Sequence, residues 1–361
     1  MKVVKNILLN VFTGASATTA LLLVLVAYSD RFHPQEHPYL ACAGLTFPFF
    51  LLVNTLIFIA WLVVSWRRAW IPLAAFLLTL PVIRVYLPLH FHHDPPPGCL
   101  KIVSYNVANY VIAKEQPEKE KTIYNYLHRQ NADIVCLQED VTHGGDPAGD
   151  FTNLYAYNDT VWLGLHRKKV YNAVGIHSRY PIVGKEIIEY ESSSNGSVAF
   201  FVKVGTDTVL IINNHLETTH LTKVDRQRYT DMISGEMDRD AAEAETRKII
   251  DKLSVAMVKR ASQARAVHDY IERHRRYPMV VCGDFNDTPV SYARRIIAQG
   301  LTDCFVETGC GLGFTFFGKG FYFRIDHILC SDHFEPYNCY VDNEINASDH
   351  YPIICWLKRK Q

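Results

Sequence analysis

Carboxylates, carboxamides and imidazoles recur in this chain at or just beyond the ends of short apolar runs. The runs are Ile102-Val103-Ser104-Tyr105-Asn106, Ile134-Val135-Cys136-Leu137-Gln138-Glu139 and Val209-Leu210-Ile211-Ile212-Asn213-Asn214-His215. Three more are Val280-Val281-Cys282-Gly283-Asp284-Phe285-Asn286, Arg324-Ile325-Asp326-His327 and Ser348-Asp349-His350-Tyr351-Pro352. A lone Asp or His after a strand is ordinary. Six such endings suggest strands converging on one polar site rich in the oxygen ligands that a hard metal ion prefers. That is hydrolase chemistry.

The elements that would position these residues alternate along the second part of the chain. Residues 115–130 read as a helix, with Ile123, Tyr126 and Leu127 at helical spacing, leading into a strand over 133–139. Residues 172–176 predict a strand followed by a turn through Pro181, and 197–204 with 208–213 predict a hairpin around Gly205. Residues 221–274 are charged and helical, with Ile249, Ile250, Leu253, Ala256 and Met257 as an apolar stripe, which predicts one or two helices covering a sheet face. The aromatic stretch Phe314 to Phe323 reads as a hairpin with one buried face, or as an apolar surface beside the site suited to lipid or bases.

The first part of the chain has a different composition. Residues 7–28 and 40–66 carry no charge, and 69–89 carry only Arg84. Each run reaches the ~20 residues needed to cross a hydrocarbon core. The first is read as a span rather than a cleaved leader, because its Ala-Ser-Ala precedes the strongest apolar stretch. The expected organisation is a membrane anchor over 1–93, a stiff Pro-rich linker over 94–98 and a catalytic domain over 99–361. Lys2, Lys5, Arg67 and Arg68 place the N-terminus and the second turn in the cytoplasm by the positive-inside rule. The catalytic domain is then extracytoplasmic, in a periplasm or at the cell surface.

Net charge is zero, and the part from Gly98 onward holds 31 basic and 34 acidic residues. This is not the basic surface of a strong duplex binder. Among nine cysteines no CxxC or Cys/His spacing suggests zinc, while Cys304 with Cys310, or Cys330 with Cys339, are candidate disulfides.

Taken in order, Ser104-Tyr105-Asn106, Leu137-Gln138-Glu139, His215-Leu216-Glu217, Gly283-Asp284-Phe285-Asn286, Ile325-Asp326-His327 and Ser348-Asp349-His350 resemble the successive motifs of the endonuclease/exonuclease/phosphatase superfamily. The resemblance runs from about Cys99 to Leu357, and the leading spans make the layout similar to membrane-anchored bacterial members. It implies a four-layer α/β sandwich of two mixed β-sheets flanked by helices, here preceded by about three transmembrane helices. It also implies Mg²⁺, with Mn²⁺ as the alternative, held by Glu139, Asn106 and Asp349. Asn106, Asn286 and His350 would contact substrate phosphate. His215, Asp284, Asn286, Asp326, Asp349 and His350 would form the catalytic set.

In that reading Asp284 orients or deprotonates the attacking water, and His350 stabilises phosphoryl charge or activates the nucleophile. Asp349 or another carboxylate positions the His350 ring, and Asp326 pairs with the site histidine. His215 donates to the leaving group, as in the deoxyribonuclease I-like and sphingomyelinase-like branches. Glu217, His177 and His327 are supporting neighbours. The carboxylate that partners the leaving-group histidine in the nuclease branch has no visible counterpart. The expected activity is hydrolysis of a phosphodiester or phosphomonoester in nucleic acid or phospholipid, by in-line attack of water. The alternative is a catalytically inactive, membrane-attached binding or scaffold module of the same fold. No protein partner is implied.

Overall fold

The computed structural model describes residues 2–111, 117–141, 151–166, 169–219, 221–318 and 321–360. Residues 115 and 116 of the expected helix, and residues 319 and 320 of the aromatic stretch, lie outside these.

Among the described residues, three helices are long and apolar enough to cross a membrane. They run over Val3–Arg31, Pro38–Val64 and Trp66–Tyr86, with α1 (Lys2–Ala27), α3 (Phe47–Val64) and α4 (Trp70–Tyr86) as their main α-helical parts. The second apolar run forms one candidate span, Pro38–Val64, of mixed helical type. It breaks into the short α2 (Pro38–Cys42), a 3₁₀ turn over Ala43–Thr46, and α3. Pro48 lies in the first turn of α3, where a missing N–H costs no intrahelical bond. The bundle holds polar groups among its apolar ones. Asn54 Nδ2 donates to the carbonyls of Thr19 and Phe50, both at 2.9 Å, and Trp61 Nε1 donates to Ser16 Oγ at 3.2 Å. Such bonds across helices are a common way to fix helix pairing where no water competes.

From Leu100 the chain builds two six-stranded mixed sheets. The first has the order β13-β14-β1-β2-β4-β3, formed by β1 (Leu100–Asn106), β2 (Ile134–Gln138), β3 (Tyr157–His166), β4 (Lys169–Ser178), β13 (Phe334–Val341) and β14 (Ile353–Arg359). The second has the order β5-β6-β7-β8-β12-β9, formed by β5 (Ile182–Ile188), β6 (Gly196–Val204), β7 (Asp207–His215), β8 (Met279–Asp284), β9 (Thr302–Asp303) and β12 (Asp326–Cys330). A separate hairpin pairs β10 (Phe316–Gly318) with β11 (Phe321–Phe323).

The continuous apolar runs arise because both faces of the central strands are covered. Side chains alternate across a strand, so Ile102, Val280 and Cys282 enter the core between the sheets. Val103 and Tyr105 turn out towards α5 (Pro117–Gln130), and Met279 and Val281 towards α7 (Arg239–Arg273). Phe200 is fully buried in the inter-sheet core, where truncation to Ala would cost about 3–5 kcal/mol. Helix on sheet on sheet on helix is the four-layer sandwich expected from the sequence.

The charged 221–274 region forms α6 (Lys223–Ile233) and the long α7. Its apolar stripe divides its partners. Ala264, Val267 and Ile271 pack on the second sheet, whereas Leu253 and Met257 pack on Ala41, Cys42 and Leu45 of the N-terminal helical region. Of the stripe read in the sequence, Leu253 and Met257 therefore meet the N-terminal helical region, and the sheet is covered by residues further along the helix. All nine cysteines are free, including Cys304, Cys310, Cys330 and Cys339, so neither candidate disulfide is formed.

Candidate active site

The strand register gathers the polar endings at one end of the sandwich. Parallel pairing sets Asn106 at the end of β1 level with Gln138, and Glu139 follows at the next residue. In the second sheet, parallel pairing of β7 with β8 puts His215 beside Asp284. Antiparallel pairing of β8 with β12 puts Asp284 beside Asp326. His350 enters from the loop before β14, where Ser348 Oγ donates to the Asn106 carbonyl at 2.8 Å and accepts from the His350 N–H at 3.2 Å.

The two sheets are tied together just beneath this end. Gln138 Nε2 donates to Asn213 Oδ1 at 2.7 Å, and Asn213 Nδ2 donates to the carbonyls of Leu137 and Gly175 at 2.9 Å. All are buried, so breaking one bond would strand a polar group away from water.

The backbone at the site is under local constraint. Among the described residues, seven non-glycine residues have positive φ, and five are Ala108, Asn109, Tyr110, Glu139 and Asn286. Such clustering is usual where surrounding structure fixes a functional loop. Gly283 has φ +123° and lies so close to β7 that a Cβ would sit 2.0 Å from the Asn214 carbonyl oxygen. Only glycine permits that approach beside Asp284.

The side chains form one connected set. Asn106 Nδ2 donates to Asp284 Oδ2 at 3.0 Å and to Glu139 Oε1 at 3.3 Å. Asn109 Nδ2 donates to Glu139 Oε2 at 3.0 Å. His350 Nδ1 lies 2.9 Å from Asp326 Oδ2, and its Nε2 lies 3.8 Å from Asp284 Oδ2. His215 Nε2 lies 3.6 Å from Glu139 Oε1 and 3.8 Å from Asp284 Oδ2. Asn286 caps the arrangement, its N–H donating to Asp284 Oδ1 at 2.7 Å and its Nδ2 to the Leu216 carbonyl at 2.9 Å.

These contacts separate the titration of the groups. Burial raises the Asp284 carboxyl, and neighbouring Asp326 raises it further, to about 7. Burial also raises Glu139, against a counteracting pull from His350. For His350 burial acts downward, but Asp326 and Asp284 outweigh it and bring the imidazole up to about 10. His215 goes the other way, to about 3, through burial and the nearby His350 charge. One imidazole is thus a cation beside carboxylates and the other is neutral.

Asp284, Asp326 and His350 offer ligand atoms within 4.8 Å of one another. Asp326 Oδ1 and His215 Nε2 are buried with no hydrogen-bond partner. Among the described residues, no Lys or Arg pairs with Glu139, Asp284 or Asp326, whose ion-pair partners are all histidines. Closely spaced oxygen ligands whose negative charge exceeds that of the one imidazolium among them fit a hard divalent cation.

The structure brings together seven of the sequence candidates: Asn106, Glu139, His215, Asp284, Asn286, Asp326 and His350. Asp349 is half-buried next to them, and its main-chain carbonyl accepts from the Phe317 N–H at 3.0 Å. Asp326 is the carboxylate that bonds the His350 ring. Glu217 is tied to Lys259 at 2.7 Å and to Ser192 at 2.8 Å, on the α7 side. His177 bonds Asn158 at 2.7 Å and lies 3.9 Å from Asp140, below the first sheet. His327 lies against the Phe285 ring and the Asp287 carbonyl, so both are framework groups.

Two functional candidates escaped the sequence reading. Asn109 holds the second oxygen of Glu139. Asn172, in β4, sits 2.7 Å from His215 Nδ1, so the partner of this histidine is an amide and not a carboxylate. With the amide donating, the ring proton sits on Nε2, which faces Glu139 and Asp284. The available signal was a polar side chain at the start of an apolar strand run.

Comparison with known proteins agrees with this geometry. The model of the endonuclease/exonuclease/phosphatase family matches residues 103–350, and a domain of unknown function matches residues 9–86. No curated protein matches the chain. Among solved structures, an endonuclease/exonuclease/phosphatase protein from Beutenbergia cavernae is 18% identical, with 72% of each chain covered and a TM-score of 0.52. The human Nocturnin catalytic domain with bound sulfate is 16% identical, over 75% of this chain and 98% of that one, with a TM-score of 0.52. A mannosyl-6-phosphatase from Bacteroides thetaiotaomicron is 17% identical, over 72% of this chain and 99% of that one, with a TM-score of 0.51. At these identities the likeness concerns the fold.

Proposed function

The chain belongs to the endonuclease/exonuclease/phosphatase family, and from that premise we propose that it is a membrane-anchored, divalent-metal-dependent phosphoesterase. The observation that carries this reading is the set of enclosed carboxylates at the site, which among the described residues meet no Lys or Arg and share one imidazolium, His350. One imidazolium does not offset Glu139, Asp284 and Asp326 together, and a bound divalent cation would. Mg²⁺ is the preferred ion, with Mn²⁺ as the alternative. Glu139, Asn106 and Asp349 are its proposed ligands, and bound there it would neutralise phosphoryl oxygens and acidify water.

The chain's own residues supply the rest. Asp284, raised towards neutrality, orients the attacking water and accepts its proton. Cationic His350, held by Asp326, and the Asn106 and Asn286 amides neutralise and orient phosphoryl oxygens. His215 directs its Nε2–H at the leaving oxygen. A fold neighbour named as a sugar phosphatase keeps phosphomonoesters beside phosphodiesters as substrates. The inactive-module alternative is disfavoured because the side chains a pseudoenzyme loses are present and mutually bonded. By the charge of its turns, the anchor places this domain outside the cytoplasm.

The test is Mg²⁺-dependent hydrolysis of a bis-aryl phosphate by the full chain in detergent, with Glu139→Ala and His350→Ala as controls. Turnover that survives chelator and both substitutions would remove the site from consideration. A C-terminal fusion to alkaline phosphatase, and separately to a fluorescent protein, checks orientation. Fluorescence without phosphatase activity would put the domain in the cytoplasm.

A further inference from the structure

The anchor docks on the end of the sandwich that carries the site. Gly44 approaches Val290 so closely that a Cβ there would lie 2.3 Å from the Val290 carbonyl oxygen. Val290 is itself buried among Leu23, Ala27, Phe47 and Ala75 of the helical bundle. Arg295, in α8 (Tyr292–Ile297), donates to the Asp30 carbonyl at 2.9 Å and pairs with its carboxylate at 3.5 Å. The buried Arg324 guanidinium donates to the carbonyls of Leu312 and Val85, the latter in the last turn of α4. The segment after α4 stays attached, with Leu89 bridging to Cys310 and the Gly311 N–H donating to the Pro88 carbonyl at 2.8 Å.

These contacts fall close to the site in sequence. Arg324 precedes Asp326 by two residues, and Val290 follows Asn286 by four. At no more than ~3.6 Å per residue, the backbone of Asp326 lies within about 7 Å of Arg324, and that of Asn286 within about 14 Å of Val290. The docking residues meet the anchor where its long helices end, after Ala27, before Phe47 and at Tyr86. A bilayer adds roughly 5–8 Å of polar headgroup region beyond the hydrocarbon on each side. The carboxylate cluster is therefore held near headgroup height.

The β10–β11 hairpin lies at the same end, joined to Arg324. Phe316 packs edge-on to His350 with ring centroids 5.1 Å apart, and Phe317 stacks on Tyr351 at 4.1 Å. Phe321 rests on Tyr229 of α6 at 4.6 Å, and Tyr322 is 55% exposed. Aromatic side chains with a wet edge concentrate at membrane interfaces.

Resting on the phosphoesterase reading above, we propose that the substrate is a phosphate-bearing lipid of the bilayer that holds the anchor, presented to the site along the aromatic hairpin. Water oxygen bonds to phosphorus as the ester P–O bond breaks, and the proton lost by the water ends on the departing alcohol. The near-neutral catalytic domain, with 31 basic and 34 acidic residues, has no field to hold a polyanionic strand in this position.

The experiment reconstitutes the full chain into vesicles carrying phosphatidic acid, phosphatidylglycerol, phosphatidylcholine and a phosphoinositide in both leaflets. The comparison arm mixes enzyme in vesicles free of the test lipid with separate vesicles that contain it. A phosphate-bearing lipid should turn over at least about ten-fold faster when it shares the enzyme's vesicle, through its high local concentration. Tyr322→Ser should lower that lipid rate several-fold and leave bis-aryl phosphate hydrolysis unchanged, and Arg295→Glu should shrink the same-vesicle advantage.

Aryl phosphate cleavage without lipid cleavage, or equal lipid rates in the two arrangements, would overturn the proposal. So would a higher kcat/KM on a single-stranded oligonucleotide or mannose 6-phosphate than on any of these lipids. A lack of chelator-sensitive aryl phosphate cleavage would sink the phosphoesterase reading itself, and the lipid assignment with it.

Discussion

Glu217, Asp287 and Asp303, on the α7 and α8 flank, each meet a basic side chain, whereas among the described residues Glu139, Asp284 and Asp326 at the strand ends meet only amides, backbone N–H groups and imidazoles. Lys259 lies 2.7 Å from Glu217, Arg260 lies 3.1 Å from Asp287 and Arg294 lies 2.6 Å from Asp303. All six acids are largely or fully enclosed, and Glu139 is the most open, with a quarter of its side chain exposed. The electrostatic outcome differs between Asp303 and Asp284, whereas burial keeps Asp287 raised even beside Arg260. Burial pushes the Asp303 carboxyl up, but Arg294 and its neighbours bring it below its ordinary value. Asp284, without such a partner, is held up at about 7. One region spends its charges on holding helices to the sheet, and the other leaves them to act on something from outside.

The largest effect should come from removing the unpaired groups. Asp284→Asn and His350→Gln should each lower kcat by about 10²–10⁴-fold, the range typical of positioned acid–base groups. Circular dichroism should show the fold intact in both, although His350→Gln removes the cation beside buried Asp326 and should lower the thermal midpoint. The same kind of change on the flank should do the opposite. Arg260→Met leaves Asp287 buried and alone, and should cost about 3–5 kcal/mol of stability, read as a lowered denaturation midpoint in detergent.

Metal addition sharpens the contrast further. At about 100 times its dissociation constant, Mg²⁺ should stabilise the chain by roughly 2.7 kcal/mol. Chelator should reverse the gain, Glu139→Gln should abolish it, and Arg260→Met should keep it. An unchanged response in Glu139→Gln would place the ion elsewhere.

The smallest effect concerns the two histidines. Asn172→Asp would give His215 the kind of partner that His350 already has, raising the His215 pKa from its low folded value. Since a neutral His215 is the active form here, activity should be lost at a higher pH on the acid side. One pKa unit corresponds to about ten-fold in activity on that limb. An acid limb that does not move would mean that His215 plays no part in the reaction.

Much of this was legible in the sequence. Apolar runs covered on both faces gave the central strands, and a polar residue at the end of each run marked the site, because strand direction carries a side-chain position straight to the sheet edge. The sequence likewise defined the three long apolar helices through length and lack of charge alone. It did not distinguish paired from unpaired carboxylates, since Asp284 and Asp287 are three residues apart and meet opposite environments. It did not reveal Asn172 or Asn109, whose roles arise from contacts across strands and a positive-φ loop. The docking of the anchor on Val290 and Arg324 was also decided only by the tertiary structure. Local pattern records what a residue needs in the way of burial and backbone, whereas charge compensation and the height of a site above a membrane depend on which distant segments arrive beside it.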